Sequence, residues 1–306
     1  MTITLARIYR SLDNVDFKIL LVLDSLLDKF EFVPLEIIEK KCGLSPKELL
    51  RKLDKLHKLK IIRRTVSPKI SYKLTYLGLD CLALHSLVRK NIIAFLGNKI
   101  GTGKESEIYL AKTPNDRLVA IKFYKIGRIS FQKVKRVRSY VIDESNWLIR
   151  SKIAAEREYN ALRDLVKYTS YVPNVWGWNR HAVVIDYIEG IELYKYKDAF
   201  DPLGMLAKIV SVIREAYLKL GIVHGDLSEY NIIVHVREGI ETPFIIDWPQ
   251  YVYRDDPQSI IYLKRDIEYI IKFFKRRYRT TLDCEATLKY VMGEIDELPL
   301  EGSNRC

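Results

Sequence analysis

One stretch of the sequence constrains the fold and the chemistry most, namely residues 224–250, which read HGDLSEYNIIVHVREGIETPFIIDWPQ. Asp226 and Asn231 lie on a short polar segment, and an apolar strand, a turn and a second apolar strand follow it. Asp247 stands at the end of the second strand. A hairpin would return Asp247 to the segment that leads into the first strand, so the three side chains are predicted to converge.

These three side chains offer carboxylate and amide oxygens to a common point. Mg²⁺ prefers such oxygen donors and usually keeps substrate phosphates and waters as its other ligands. The alternative interpretation is structural, with a polar loop, a helix cap and a turn aspartate. That alternative fits each residue taken alone, but the three together, with the glycine-rich segment described next, favour a metal site.

A second informative stretch lies upstream, where two apolar strands flank GTGKES at residues 101–106 and a third strand, LVAIKFYK, follows. Glycines let backbone amides approach phosphate oxygens closely, and Lys104 and Ser106 add donors. The Walker loop is excluded because Glu105 follows the Gly-Lys pair, where that motif has Ser or Thr. The dinucleotide fingerprint is excluded because a strand follows, where that motif has a helix.

A lysine and a glutamate complete this region. Lys122 lies in VAIK, one strand after the glycines, where its ammonium could reach phosphates. In the next helix, Glu158 shares a helical face with Leu162 and Leu165, so we expect it to be buried and to meet Lys122. Glu156 is the alternative partner. A buried lysine and glutamate need one another, because either alone in a cleft is costly.

The first 90 residues have a different pattern. Three helical segments, the first from about Val15 to Lys29, precede two β-compatible runs, IIRRTV and ISYKL, which the turn signal Ser67-Pro68-Lys69 joins. A closing helix begins near Thr75. This order resembles a winged-helix domain. Its third helix opens on Ser45 with Glu48 three residues later, and its basic face could bind the phosphates of DNA or RNA, although a merely solvated lysine-rich face is the alternative. The residues of this candidate nucleic-acid face are Arg51, Lys55, Lys58, Arg63 and Arg64.

The order of the motifs GTGKES, VAIK, HGDLSEYN and IIDWP, with a helix glutamate between the second and third, is that of a protein-kinase fold. Their details resemble the Rio-type atypical serine/threonine protein kinases, in particular the winged-helix-bearing second subfamily, with an archaeal source expected. The resemblance covers nearly the whole chain. It implies an α+β fold with a winged-helix domain over residues 1–90 and a compact bilobal Rio kinase domain over residues 91–306. Within the latter it implies an N-lobe (91–185), a hinge (186–190) and a C-lobe (191–306).

The same resemblance implies ATP and Mg²⁺ as cofactors, with Mn²⁺ as an alternative metal, and it implies a role for each site residue. Asp226 would be the catalytic aspartate, assisted by Lys122, and Asn231 and Asp247 would be the metal ligands. Glu158 would orient Lys122. The implied nucleotide-site residues are Gly101, Gly103, Lys104, Ser106, Lys122, Glu158 and, through their backbone groups on adenine, Asp186 and Ile188.

A basic segment, KIGRISFQKVKRVRSY at residues 125–140, has no acidic residue and is too charged for a core. By the resemblance it is a flexible loop that carries autophosphorylation, with Ser130 and Ser139 as candidate acceptors. A solvated linker and an RNA-contacting loop are both compatible with this charge.

The charge balance also points to polyanionic partners, since 51 Lys and Arg against 39 Asp and Glu give a net charge of +12. Four widely spaced cysteines fit a reducing cytoplasmic location, and we expect no disulfide partner. The most apolar stretch, ILLVLDSLL, is too short to span a bilayer, so no membrane association is expected.

Few residues follow Asp247, which leaves little room for an activation segment and a peptide-docking platform. We therefore expect slow autophosphorylation or ATP hydrolysis. The resemblance implies a role in maturation of the small ribosomal subunit, with its precursor and rRNA as partners. Two alternatives remain: a small-molecule phosphotransferase of the aminoglycoside/choline-kinase type, and an ATP-sensing winged-helix DNA-binding regulator.

Overall fold

The computed structural model describes residues 4–127 and 144–300. The chain forms two compact units. The first comprises residues 1–156 and 176–185, and the second comprises residues 157–175 and 186–306.

The N-terminal part of the first unit has the helix and strand order of a winged helix, as predicted. Its helices are α1 (Leu5–Arg10), α2 (Asn14–Asp24), α3 (Leu35–Cys42), α4 (Pro46–Lys58) and α5 (Tyr76–Arg89). Its strands, β1 (Val33–Pro34), β2 (Ile62–Thr65) and β3 (Ser71–Leu74), form an antiparallel sheet in the order β1-β3-β2. The short helix α1 was not predicted, and α2 ends at Asp24, where the apolar pattern predicted a helix as far as Lys29.

Side-chain caps fix where these helices begin. Asp13 accepts hydrogen bonds from the backbone N of Val15 and of Asp16, both at 3.0 Å, and Asp16 accepts one in return from Asp13 N. This capping box satisfies backbone donors that the first turn of α2 leaves without partners. At the start of α4, Ser45 accepts a longer bond of 3.4 Å from Glu48 N.

A five-stranded sheet follows in the same unit. Its strands are β4 (Phe95–Thr102), β5 (Ser106–Lys112), β6 (Leu118–Tyr124), β7 (Val175–Asn179) and β8 (Ala182–Asp186), in the order β4-β5-β6-β8-β7. Helix α6 (Glu144–Leu165) lies in the sequence between β6 and β7. The pairing of β4 with β5 shifts register between Leu96 and Gly101, so the strand is irregular where it approaches the glycines.

One hydrophobic core joins the winged helix to this sheet. Leu84 and Leu87 of α5 belong to the same buried cluster as Val119 of β6 and Val184 of β8. Burial of apolar surface contributes about 25 cal/mol per Å², so a shared core contributes stability to both parts at once. The winged helix therefore packs as an integral layer of the first unit.

The second unit is built from helices and two small sheets. Helix α7 (Pro202–Glu215) continues as a π-helical turn, Ala216–Leu220, which ends at its C-cap, the left-handed residue Gly221. The remaining elements are β9 (Ile191–Glu192), β10 (Ile222–Val223), β11 (Ile232–Arg237), β12 (Ile240–Ile245), β13 (Val252–Tyr253), α8 (Ser259–Tyr278) and α9 (Cys284–Met292). The sheets have the orders β12-β11-β9 and β10-β13.

The cysteines differ from expectation at one position. Cys284 is disulfide-bonded, so the expectation of no disulfide was wrong for this residue; distance along the sequence does not report which sulfur atoms meet in space. Cys42 and Cys81 are buried free thiols. Among the described residues, no helix combines the length and the apolar character that crossing a membrane requires.

Candidate active site

The aspartate loop, residues 224–231, runs from the end of β10 to the start of β11. His224 ties this loop to the end of β12: its Nε2 bonds to the Ile246 carbonyl at 3.2 Å and its Nδ1 to the Asp226 backbone N at 3.3 Å. A carbonyl only accepts and an amide only donates, so this ring donates through Nε2 and accepts at Nδ1. The imidazole thus links the backbone of Asp226 to the residue before Asp247.

The hairpin of β11 and β12 brings the predicted metal ligands onto neighbouring backbone. Ile232 pairs with Ile245, and Ile246 N donates to the Asn231 carbonyl at 2.9 Å. Asn231 Nδ2 donates to the Asp226 carbonyl at 2.8 Å. The segments that carry Asp226, Asn231 and Asp247 therefore lie side by side.

The donor set of these segments suits a hard cation. Asn231 uses its amide nitrogen on the Asp226 carbonyl, which leaves its amide oxygen as the donor atom for a metal. Among the described residues there is no group of three or more His, Cys, Asp and Glu side chains that could hold a metal ion. The expected set, one amide and the carboxylate of Asp247, fits Mg²⁺, which is usually bound through one or two protein groups and substrate phosphates.

Asp247 has an unusual backbone. Its φ of 68° lies in the left-handed region, which few residues other than glycine enter, although Asp and Asn do so more readily than most. The next residue, Trp248, is fully buried; its Nε1 donates to the Ile245 carbonyl at 3.3 Å, and its ring lies 4.6 Å from that of His224. Trp248 thus anchors the backbone that follows Asp247.

Asp266 on α8 supports the aspartate loop from below. Its Oδ2 accepts from Gly225 N at 2.7 Å and its Oδ1 from Leu227 N at 3.3 Å, on either side of Asp226. Burial raises the pKa of this carboxyl to about 6, against the opposing effect of these donors and of Arg265. Asp266 therefore supports the backbone on both sides of Asp226.

Gly225 directly precedes Asp226, and the structure gives a steric reason for a glycine there. Its φ of 77° is left-handed, and a Cβ atom would lie 3.1 Å from the Gln250 carbonyl oxygen. Any larger residue would strain the turn that presents Asp226.

The glycine-rich turn, residues 101–106, connects β4 to β5 in the first unit. Gly103 N donates to the Ser106 carbonyl at 2.9 Å and closes the turn. Gly103 and Lys104 are exposed, whereas Gly101 and Ser106 are half-buried. Lys122 pairs with Ile108 across β5 and β6 and is buried; its Nζ lies 4.8 Å from the centre of the Tyr124 ring.

The remaining nucleotide-site candidates belong to the second unit. Glu158 is buried with Leu162 and Leu165, as the helical phase predicts, whereas Glu156 is exposed. Asp186, at the end of β8, is held by Asn174: Asp186 N donates to the Asn174 carbonyl at 2.9 Å, and Asn174 Nδ2 donates to Asp186 Oδ2 at 2.7 Å. Ile188 is half-buried in the segment between β8 and β9.

The residues of the candidate nucleic-acid face differ in exposure and in their contacts within the protein. Arg51, Arg63 and Arg64 are exposed, and Lys58 is exposed and paired with Asp54 at 2.7 Å. Lys55 differs from them, because its Nζ donates to the Ser11 carbonyl at 2.7 Å and also bonds to the buried Asp16. Lys55 therefore packs α4 against α2. Neighbouring Lys52 is buried and bonds to Asp13, whose pKa it holds at about 2.

The basic segment 125–140 does not begin where its charge pattern predicts. Lys125 is buried, and its Nζ lies 2.7 Å from both Asp80 Oδ2 and Glu107 Oε2. Its inclusion in a solvated basic loop was wrong, because two carboxylates distant in sequence neutralise it. Ser130 and Ser139 lie outside the described residues.

The sequence matches two family models. The model of the RIO domain matches residues 107–287, and the model of the Rio2 N-terminal domain matches residues 9–90. The RIO-type serine/threonine-protein kinase Rio2 of Methanocaldococcus jannaschii is 35% identical over 80% of this chain and 91% of the relative. Serine/threonine-protein kinase rio2 of Dictyostelium discoideum is 31% identical over 88% of this chain, and the alignment spans 51% of that longer relative.

A solved structure is similar over almost the whole chain. The Rio2 kinase of Chaetomium thermophilum, crystallised as an ADP/Mg²⁺-phosphoaspartate complex, superposes with a TM-score of 0.84 at 28% identity and covers 97% of this chain and 90% of that chain. The predicted α+β fold, a winged helix followed by a Rio kinase domain, is confirmed. The chain belongs to the Rio2 group of RIO-type atypical serine/threonine protein kinases.

Proposed function

We propose that this protein transfers the γ-phosphoryl group of ATP in a Mg²⁺-dependent reaction, as an atypical serine/threonine kinase and ATPase that also phosphorylates itself. The observation that carries the proposal is the side-by-side placement of the segments bearing Asp226, Asn231 and Asp247. Phosphoryl transfer needs little covalent work from the protein, because most of the catalysis is positioning and neutralisation of charge.

Each site residue has a proposed part in this reaction. Asn231 and Asp247 hold the metal, which neutralises charge on the phosphates when it is bound. Lys122 contacts the α- and β-phosphates and is oriented by Glu158, whose burial favours it over the exposed Glu156. The glycine-rich turn covers the phosphates through Gly101, Gly103, Lys104 and Ser106, and the backbone of Asp186 and Ile188 recognises adenine.

Asp226 orients the attacking group, and we propose a carboxylate as one such group. The Chaetomium relative was crystallised with ADP, Mg²⁺ and phosphoaspartate. In this chain, a carboxylate oxygen would attack the γ-phosphorus while the bond from that phosphorus to the ADP oxygen breaks. ADP leaves, and water then hydrolyses the acyl phosphate. Ser130 and Ser139 are the proposed hydroxyl acceptors for autophosphorylation.

Hydroxylamine distinguishes these acceptors, because it cleaves acyl phosphates and spares phosphoserine. The purified chain is labelled with γ-phosphate-labelled ATP, denatured and treated with hydroxylamine at neutral pH. Release of the protein-bound label supports the carboxylate acceptor. Retention of all the label, with phosphate found only on serine, contradicts it.

The metal assignment is tested with Asp247→Ala, and Asp255→Ala serves as a matched control because Asp255 is an exposed aspartate outside the site. Phosphate release from ATP is measured at saturating Mg²⁺. We expect Asp247→Ala to lose turnover by at least about a hundredfold and Asp255→Ala to retain it. Equal turnover in the two variants would refute the assignment.

For the biological partner, we propose the small ribosomal subunit precursor and its rRNA, with the protein acting in the cytoplasm. The net charge of +12 and the exposed residues Arg51, Arg63 and Arg64 support a polyanionic partner. In this proposal, residues 1–90 and the basic segment that follows Lys125 contact RNA, and residues 91–306 form the kinase domain around a hinge at residues 186–190.

Sedimentation of cell lysate tests the partner and separates it from the two alternatives. We expect the protein to migrate with small-subunit precursors in the presence of a non-hydrolysable ATP analogue and to dissociate in the presence of ATP. Fast phosphorylation of an amino sugar or choline would favour the small-molecule phosphotransferase. Sequence-selective DNA binding that survives 200 mM salt, where phosphate contacts weaken, would favour the regulator.

A further inference from the structure

A row of buried charges runs from helix α5 of the winged helix to the glycine-rich turn. Asp80, Lys125 and Glu107 are each less than a tenth exposed. Lys125 Nζ lies 2.7 Å from Asp80 Oδ2 and 2.7 Å from Glu107 Oε2, and Lys99 Nζ lies 2.7 Å from Glu107 Oε1. We call these four residues the buried charge row.

The row ends on both strands of the glycine-rich hairpin. Lys99 lies on β4 two residues before Gly101, and Glu107 lies on β5 directly after Ser106. Their ion pair therefore bridges the two strands where the turn begins and ends. A backbone hydrogen bond of 2.6 Å from Lys125 N to the Glu105 carbonyl adds a third attachment inside the turn.

At the other end of the row, a histidine holds Asp80 in place. His181, which is fully buried, bonds through Nε2 to Asp80 Oδ1 at 2.7 Å, so both carboxylate oxygens of Asp80 are engaged. Burial lowers the pKa of His181, against the opposing effect of Asp80. Burial alone would raise the pKa of Asp80, but Lys125 and His181 outweigh it and hold this pKa below its usual value. The row itself contains two carboxylates and two ammonium groups in alternation.

Stability alone is a weak explanation for this arrangement. A buried ion pair commonly contributes no more than apolar residues of the same volume, because removing the charges from water offsets their attraction. The ion pairs add a geometric restraint, since each bond restricts the positions of the two groups that it joins. The restricted segment is the glycine-rich turn, whose glycines would otherwise be conformationally free.

We propose that the buried charge row positions the glycine-rich turn for the phosphates of the nucleotide, so that the winged helix contributes Asp80 to the ATP site as a positioning residue. The proposal rests on the proposed function, in which the same turn covers ATP. It assigns the winged helix a part in nucleotide binding that is separate from any contact with nucleic acid.

The test compares Asp80→Asn with Asp24→Asn in the full chain. Asp24 is a matched control, because it is also a poorly exposed winged-helix carboxylate that pairs with later residues, Lys152 at 2.7 Å and Arg180 at 2.8 Å. Neither of those partners belongs to the row. ATP affinity, KM for ATP and kcat are measured well below the unfolding temperature of each variant. We expect Asp80→Asn to weaken ATP binding about tenfold, and Asp24→Asn to change it less than about twofold.

A double-mutant cycle gives a readout that simple destabilisation would not move. If the row acts as one unit, Lys125→Gln weakens ATP binding as much as Asp80→Asn, and the double variant is no worse than either single variant. Hydrogen exchange at the amides of residues 101–106 should also accelerate in Asp80→Asn and stay unchanged in Asp24→Asn.

Several outcomes would overturn the proposal. Unchanged ATP affinity in folded Asp80→Asn contradicts it, as does an equal loss in Asp24→Asn. If Asp80→Asn does not fold, Lys99→Met breaks the exposed end of the row, since the Lys99 side chain is 40% exposed; normal affinity in that variant overturns the proposal. Failure of the wild-type chain to bind ATP would overturn the proposed function as well, which distinguishes the two failures.

Discussion

At the scale of single residues, the predicted metal ligand Asp247 has an unfavourable backbone conformation. Its φ of 68° suits glycine, and a Cβ atom costs about 1 kcal/mol or more in this region. We therefore expect Asp247→Gly to be about 1 kcal/mol more stable than Asp247→Ala, although both lose turnover. Urea denaturation of the two variants measures the difference, and the comparison cancels the loss of the carboxylate itself. An alanine variant as stable as the glycine variant would contradict the strained backbone.

The buried carboxyl of Asp266 should make the stability of the fold depend on pH. Its pKa is raised to about 6 in the folded protein, from an ordinary value of 3.8, because it is buried. At pH values between 3.8 and about 6, Asp266 holds a proton in the folded chain but has released it in the unfolded chain. Protonation of Asp266 therefore stabilises the fold at low pH, and this stabilisation is lost as pH rises through about 6. Relative to Asp266→Asn, the wild type should lose about 1.4 kcal/mol between pH 5 and pH 7. A difference that does not change with pH would disprove the raised pKa.

We also expect the Asp266 carboxyl to lower turnover at acid pH. A protonated carboxyl accepts hydrogen bonds from Gly225 N and Leu227 N less well, so the aspartate loop loses its support below pH 6. We expect kcat of the wild type to fall as pH falls through about 6. In Asp266→Asn, kcat should be lower at every pH and should not fall further as pH falls through 6. A fall of the same size in both enzymes would assign it to another group.

At the scale of secondary-structure elements, α4 carries lysines and arginines of two kinds. Arg51 is exposed, whereas Lys55 bonds to Asp16 and Ser11 of the elements beneath it. Arg51→Ala should weaken RNA binding and lower the slope of log affinity against log salt by about 1. Lys55→Ala should lower stability and leave that slope unchanged. Fluorescence anisotropy over a salt series measures both slopes, and an equal change in each would show that Lys55 also contacts phosphate.

Local patterns predict elements well where one face is apolar, and less well elsewhere. The Ser45 cap predicted the start of α4, and the turn signal predicted the β2–β3 hairpin. Helix α1 has six residues and too few apolar positions to show a period. Helix α2 was predicted too long, because apolar residues continue past Asp24 into a turn.

At the site, the sequence predicts residue types and order better than partners. The segments that carry Asp226, Asn231 and Asp247 lie side by side because one hairpin joins them, and the local spacing of these residues was enough to predict that hairpin. Lys125 was misplaced because its partners, Asp80 and Glu107, come from two other elements. A charge run in the sequence reports its own net charge, and not the charges that the fold places around it.

At the scale of the whole molecule, the shared core makes residues 1–90 part of the structural support of the sheet. Removing them exposes Val119 and Val184, which now share a buried cluster with α5. We expect residues 91–306 alone to bind a hydrophobic dye and to unfold without a cooperative transition. Circular dichroism during heating tests this expectation. A cooperative melt within a few degrees of that of the full chain would show that the two parts are independent.

We propose that the chain transfers phosphoryl groups from ATP with Asp226 as the orienting carboxylate. The most direct measurement compares Asp226→Asn with the wild type at saturating ATP and Mg²⁺, recording nucleotide affinity and phosphate release on the same preparations. Because Asn has the shape of Asp without its charge, ATP affinity should stay within about threefold while turnover falls at least about a hundredfold. Undiminished turnover in Asp226→Asn, or loss of affinity in step with turnover, would contradict this role of Asp226.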